Sequence, residues 1–136
     1  MAWQLRDPEF RAAIADLVER MGGRCVLVGT AAAQIHLADA IGVDKRGPPA
    51  HGIDVVALEG AAVPDRIGAV PVREMRTQGF DASVAAGRRE VEVDGIRFPV
   101  AAPEHVLGMI LADEHLGMEG KWACFALMRA LEGREL

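Results

Sequence analysis

Residues 22–58 constrain this chain more than any other segment, because they lead from strand to helix to strand with few residues to spare. The predicted order is strand, turn, helix, loop and strand, at residues 24–28, 29–30, 31–41, 42–51 and 53–58. A small-residue turn directly before a helix directs backbone N–H groups and the positive end of the helix dipole at one space, which suits a phosphate. Purely structural strand-to-helix junctions favour the same residues, so a structural interpretation stands beside this one. Asp54 begins the second strand, where it would hold a cation beside that phosphate if the two strands are neighbours.

Three segments carry a resemblance to a known family. VLVGTAAAQIH joins an apolar strand, a small-residue turn and a helix with a histidine, AHGID contains Asp54, and AAPEHVL at residues 101–107 opens a later helix. Together they resemble the nucleotidyltransferase fold of the DNA polymerase beta superfamily, in its branch of minimal and abortive-infection-toxin-like nucleotidyltransferases. The resemblance covers roughly residues 10–131 and implies a single nucleotidyltransferase-like domain over residues 1–136. We expect His36, on the first of these helices, to be packed or hydrogen-bonded.

The resemblance implies a site for a nucleoside triphosphate with magnesium. Gly29 and Thr30 would bind phosphate, and Asp54 would be a catalytic residue and the metal ligand. Arg46 would also bind the nucleotide, although it stands two residues further from the aspartate than the family's arginine does. The family has an Asp-x-Asp pair, whose two carboxylates share one face of a strand. In this chain Gly52 stands at the first position of that pair. A two-metal mechanism then lacks one carboxylate, which predicts weak activity or none.

An antiparallel hairpin is predicted over residues 88–100, where two alternating runs meet at Asp94 and Gly95. A type I′ turn needs positive φ at both central residues, which these two types adopt readily. In the family a third catalytic carboxylate lies on a later strand next to the aspartate pair, so the resemblance implies Glu92 or Glu90 for that role. Acidic residues also alternate in this way on the solvent-facing side of ordinary hairpins. A second interpretation is therefore that Glu90 and Glu92 are solvated surface residues without a catalytic role.

The remaining pattern predicts helices at residues 8–21, 103–115 and 119–131 and a short strand at 69–73. Residues 74–87 lack periodicity and are predicted as a loop with a turn of helix at most. The last helix contains WACFALM and is apolar on most sides, so we expect it to be buried or to form a subunit interface. The predicted fold class is α/β (α+β), a small mixed β-sheet packed with helices.

Composition restricts the classes of function. With a net charge of −5, the chain has no extensive surface for nucleic acid, although a local basic patch is compatible with it. No segment has the apolar length of a membrane span or the pattern of a signal peptide, which predicts a cytoplasmic protein. Cys25 and Cys124 lack metal or redox spacing and are expected to be reduced core thiols.

Two functional hypotheses follow. The first is a nucleotidyltransferase-like protein that binds a magnesium–nucleoside triphosphate and is weakly active or inactive, because Gly52 replaces an aspartate. The second is a noncatalytic interaction module, either a homodimer through the C-terminal helix or one component of a toxin–antitoxin-type pair. Nucleotide affinity separates the first hypothesis from the second.

Overall fold

The structure is a computed structural model, and it describes residues 2–43, 46–76, 81–112 and 117–135. These residues form five helices and six strands. In chain order the elements are α1 Pro8–Arg20, β1 Cys25–Val28, α2 Gly29–Ile41, β2 Ile53–Ala57, β3 Arg66–Ile67, β4 Val70–Glu74, α3 Asp81–Ala86, β5 Arg89–Val93, β6 Ile96–Val100, α4 Pro103–Leu111 and α5 Met118–Glu135.

The strands form one mixed sheet in the order β3-β4-β2-β1-β6-β5. At its centre β1 pairs antiparallel with β2 and parallel with β6, and β2 pairs parallel with β4. All four residues of β1 are buried. Because successive residues of a strand point to opposite faces, both faces of the sheet are covered at β1. The predicted fold class, a mixed sheet packed with helices, is confirmed.

Helix α2 is the buried helix of the fold. It begins at Gly29, directly after β1, and seven consecutive residues from Ala31 to Leu37 are buried. Burial on all sides follows from its neighbours, since α2 contacts β2 and β5 of the sheet as well as α4 and α5. Small alanine side chains let these elements approach the helix axis closely, which explains why the helix contains so many of them.

The N-terminal segment packs against α1 and against the loop before β2. Helix α1 buries Phe10, Ala13, Ile14 and Leu17 and contacts β6 and β3. Trp3 stacks on Phe10 with ring centroids 6.1 Å apart. The backbone of Trp3 also exchanges two hydrogen bonds with Ala50, which ties the start of the chain to the loop before β2.

Several element predictions are confirmed in detail. The hairpin turn has φ of 49° at Asp94 and 80° at Gly95, as a type I′ turn requires. The strand predicted at residues 69–73 is β4, and α3 is the short helix in the aperiodic region. Helix α4 ends at Leu111 within the described residues, and the predicted extension to His115 lies outside them. Within the described residues, no helix has the length and apolar character needed to cross a membrane.

Candidate functional site

The site begins where β1 runs into α2. Gly29 has φ of 69°, a left-handed conformation that favours glycine, and it is the first residue of the helix. Val28, the N-cap residue of α2, makes no side-chain hydrogen bond to this end of the helix. The first-turn N–H groups, which have no partner within a helix, lie near Gly29 and Thr30 without a cap from that residue. The structure thus places both predicted phosphate-binding residues at an uncapped helix start.

Asp54 lies directly against this junction. Strand pairing sets Asp54 opposite Val28, the last residue of β1. A Cβ atom placed on Gly29 would lie 2.5 Å from Oδ2 of Asp54. Any side chain at position 29 would therefore collide with the carboxylate, so the close approach of Asp54 to the helix start depends on glycine.

Arg73 is the immediate partner of Asp54. The two residues are in register on the parallel strands β2 and β4. Nε of Arg73 donates to Oδ1 of Asp54 at 3.1 Å, and Nη2 donates to Oδ2 at 3.1 Å. This is the two-bond geometry in which a guanidinium binds a carboxylate most specifically. Arg73 was not predicted as a site residue, although it lies in the predicted strand, because local pattern does not show that β4 pairs with β2.

The structure gives a physical reason for Gly52. A Cβ atom at this position would lie 2.7 Å from the carbonyl oxygen of Pro71, on the backbone of β4. Strand β4 would have to move to admit any side chain, including the aspartate that the family pattern has here. On β4, the residue in register with Asp54 is the cation Arg73. Neither position 52 nor position 73 therefore carries a carboxylate beside Asp54.

A cavity of about 880 Å³ opens at this junction. Its polar lining includes Thr30, Asp54, Arg73 and Glu119. Its apolar lining comes from the end of β4, from α4 and from the start of α5, as Met75, Met109, Ile110 and Met118. Glu119 also accepts a 2.7 Å hydrogen bond from Nε2 of His51, on the loop before β2, which links the start of α5 to that loop.

Neither Glu92 nor Arg46 lies beside Asp54. Glu92 is exposed on β5, the edge strand, where it is in register with Arg97. Three strand spacings separate β5 from β2, or about 14 Å. Arg46 is exposed and does not line the cavity. Glu90, the other carboxylate considered, is on β5 as well, so neither acid lies on a strand next to Asp54.

His36 and the two cysteines belong to the core. His36 is fully buried, and its Nε2 donates to the carbonyl oxygen of Ala101 at 2.8 Å, which confirms the hydrogen-bonded role. Cys25 and Cys124 are free and buried, as expected. Burial raises the pKa of the Cys25 thiol from its ordinary 9.0 to about 11; Glu90 adds to the rise and Arg88 opposes it. Burial likewise raises the pKa of Cys124.

No family model, no curated protein and no solved structure matches this chain. Within the described residues, no group of three or more His, Cys, Asp or Glu side chains is arranged to hold a metal ion.

Proposed function

We propose that this chain is a cytoplasmic nucleotidyltransferase-like protein that binds a nucleoside triphosphate and turns it over weakly or not at all. The observation that carries the proposal is that an uncapped helix start, Asp54 and Arg73 line the same cavity. Its volume of about 880 Å³ lies in the range of small-molecule sites, about 300–1,000 Å³. The mixed lining suits a ligand with an anionic part and an apolar, aromatic part.

The phosphates would bind at the start of α2. The N–H groups near Gly29 and Thr30 and the positive end of the helix favour an anion there. Arg73 is exposed and has a guanidinium that can bind phosphate oxygens while it contacts Asp54. The base would lie against the apolar side chains Met75, Met109 and Ile110. Polarisable methionine side chains adapt to flat aromatic rings.

Magnesium would have Asp54 as its protein ligand, together with triphosphate oxygens and water. Each Asp54 oxygen accepts one hydrogen bond from Arg73 and keeps a second lone pair, so one ion can still bind this carboxylate. A second ion would need a second carboxylate, and a side chain at position 52 would collide with Pro71. Transferase chemistry of the two-metal kind needs both the attacking and the leaving oxygen to be stabilised. We therefore propose binding as the principal property of the site.

The proposal is tested by calorimetric titration of the protein with each common nucleoside triphosphate, with and without magnesium. We expect Arg73→Gln to weaken binding by at least about tenfold, since it removes the cation nearest the phosphates. Arg97→Gln is the matched control, because Arg97 is exposed on β6 and does not line the cavity. Asp54→Asn should abolish the magnesium-dependent part of binding and leave the magnesium-free part intact. Absence of heat with every nucleotide up to millimolar concentration would overturn the proposal.

The second candidate function is the noncatalytic interaction module, as a homodimer or a component of a toxin–antitoxin-type pair. The observation that favours it is the outer surface of α5, where Met118, Trp122, Phe125 and Met128 are exposed. Large apolar side chains grouped on one exposed surface are typical of interaction sites. A dimer without nucleotide affinity would favour this second function over the first.

A further inference from the structure

The inner and outer faces of α5 differ in what they contact. Its inner face buries Ala123, Cys124, Ala126 and Leu127, and the helix packs on α2 and α4. Its outer face carries four exposed apolar side chains, with exposed fractions of 80% at Met118, 42% at Trp122, 61% at Phe125 and 50% at Met128. Packing on α2 and α4 therefore leaves four large apolar side chains of this helix exposed.

The exposed residues Lys121, Phe125, Met128 and Glu132 form a stripe along the outer face, which we call the outer stripe. Their spacing of four, three and four residues is the spacing of a seam between two packed helices. Phe125 and Met128 lie in the middle of the outer stripe, the positive charge of Lys121 lies at its N-terminal end, and the negative charge of Glu132 lies at its C-terminal end. Neither Lys121 nor Glu132 forms an ion pair within the described part of the chain.

We propose that the outer stripe pairs antiparallel with the same stripe of a second copy of this chain. A two-fold axis between Phe125 and Met128 places Phe125 against Met128 of the partner subunit and Lys121 against Glu132 of the partner subunit. A closed two-fold interface of this kind uses one patch on both subunits. A parallel arrangement would set Lys121 against Lys121 and Glu132 against Glu132, so the charges select the antiparallel one.

The exposed area is consistent with a reversible dimer. An aromatic side chain buries about 150–250 Å² when fully covered, so the exposed fractions of Trp122 and Phe125 correspond to roughly 200 Å² on each subunit, to which Met128 adds. A standard interface buries about 800 Å² on each partner. The apolar side chains would thus supply only part of that area, and the dimer would have to bury polar residues around them as well. We expect dissociation in the micromolar range. None of the four outer-stripe residues lines the cavity, so this proposal does not depend on nucleotide binding.

The test is sedimentation velocity of the full chain over low to high micromolar concentration, without nucleotide. We expect the mass to rise from 14.5 kDa toward twice that value. Phe125→Ser should hold the protein in the monomeric state. Ile41→Ser is the matched control, because Ile41 is also exposed, at 56%, but lies at the end of α2. A wild-type protein that remains monomeric at high concentration would overturn the proposal and point to a different partner.

Charge reversal tests the register. Lys121→Glu and Glu132→Lys should each weaken dimerisation about tenfold, because each change occurs twice in a two-fold interface. The double variant with both changes should restore dimerisation to within about threefold of wild type. Parallel pairing predicts no such rescue, and a double variant as weak as either single variant would refute the antiparallel register. Circular dichroism on each variant checks that these exposed substitutions leave the monomer folded.

Discussion

At the scale of single residues, the candidate site depends on two positions that lack side chains. Gly29 lets Asp54 approach the start of α2, since a Cβ there would lie 2.5 Å from the carboxylate. Gly52 lets β4 pack against the segment before β2, since a Cβ there would lie 2.7 Å from the Pro71 carbonyl oxygen. The second contact explains in steric terms why this chain lacks a carboxylate two residues before Asp54.

Restoring that carboxylate is expected to damage the fold and leave activity unchanged. Gly52→Asp should lower the free energy of unfolding by about 1–3 kcal/mol, because its Cβ overlaps backbone that cannot rotate away. Gly52→Ala is the matched control: it adds the same Cβ without a carboxylate and should cost a similar amount. Urea denaturation measures both. A Gly52→Asp variant as stable as wild type that gained magnesium-dependent nucleotide turnover would contradict this steric argument.

At the scale of elements, buried hydrogen bonds join α2 to the segments that precede the site. Nε2 of Gln34 donates to the carbonyl oxygens of Trp3, at 2.9 Å, and Pro48, at 2.6 Å. Gln4 forms two further hydrogen bonds with the backbone of Gly47. These contacts hold the N-terminal segment and the loop before β2 against the helix that carries the candidate phosphate site.

Gln34 should therefore contribute measurably to stability through its amide N–H groups. Gln34→Met keeps the length of the side chain and removes the donor, and we expect a loss of about 1–3 kcal/mol. Gln34→Glu should cost more at neutral pH, because it places a carboxylate against two carbonyl oxygens. Urea denaturation of both variants measures this order. Equal stability of wild type and Gln34→Met would show that the two hydrogen bonds contribute nothing.

At the scale of the whole molecule, stability in alkali depends on the core thiol of Cys25. Its folded pKa is about 11 and its ordinary value is 9.0. Above pH 9 the unfolded chain loses this proton while the folded protein retains it. The contribution is therefore fully present below pH 9 and is lost as pH rises toward 11.

We expect the free energy of unfolding to fall by up to about 2–3 kcal/mol between pH 9 and 11 on account of Cys25 alone. Cys25→Ala should reduce this pH dependence, whatever its effect on stability at neutral pH. Cys124→Ala is the matched control and should retain the Cys25 component. Urea denaturation at a series of pH values, with reductant, gives the slope of the free energy of unfolding against pH for wild type and for each of the two variants. An unchanged slope in Cys25→Ala would contradict the assignment.

Much of the local structure was predictable because it has a local cause. The type I′ turn at Asp94 and Gly95 follows from the few residue types that accept positive φ. The position of Glu92 could not be predicted in this way, since alternation assigns a strand but not its neighbours. The outer face of α5 was visible in the sequence only as excess apolar character, because periodicity alone cannot tell which side another helix covers.

The sequence by itself determined the strand–helix–strand unit around Gly29, the mixed α/β class, the hairpin and the absence of a carboxylate at position 52, because turn chemistry and periodicity act over a few residues. Only the tertiary structure decided that β4 lies beside β2 and that Arg73 binds Asp54. It also decided that Glu92 lies on the far edge of the sheet. Strand order depends on long-range pairing and on which faces the helices cover, and no local pattern encodes either.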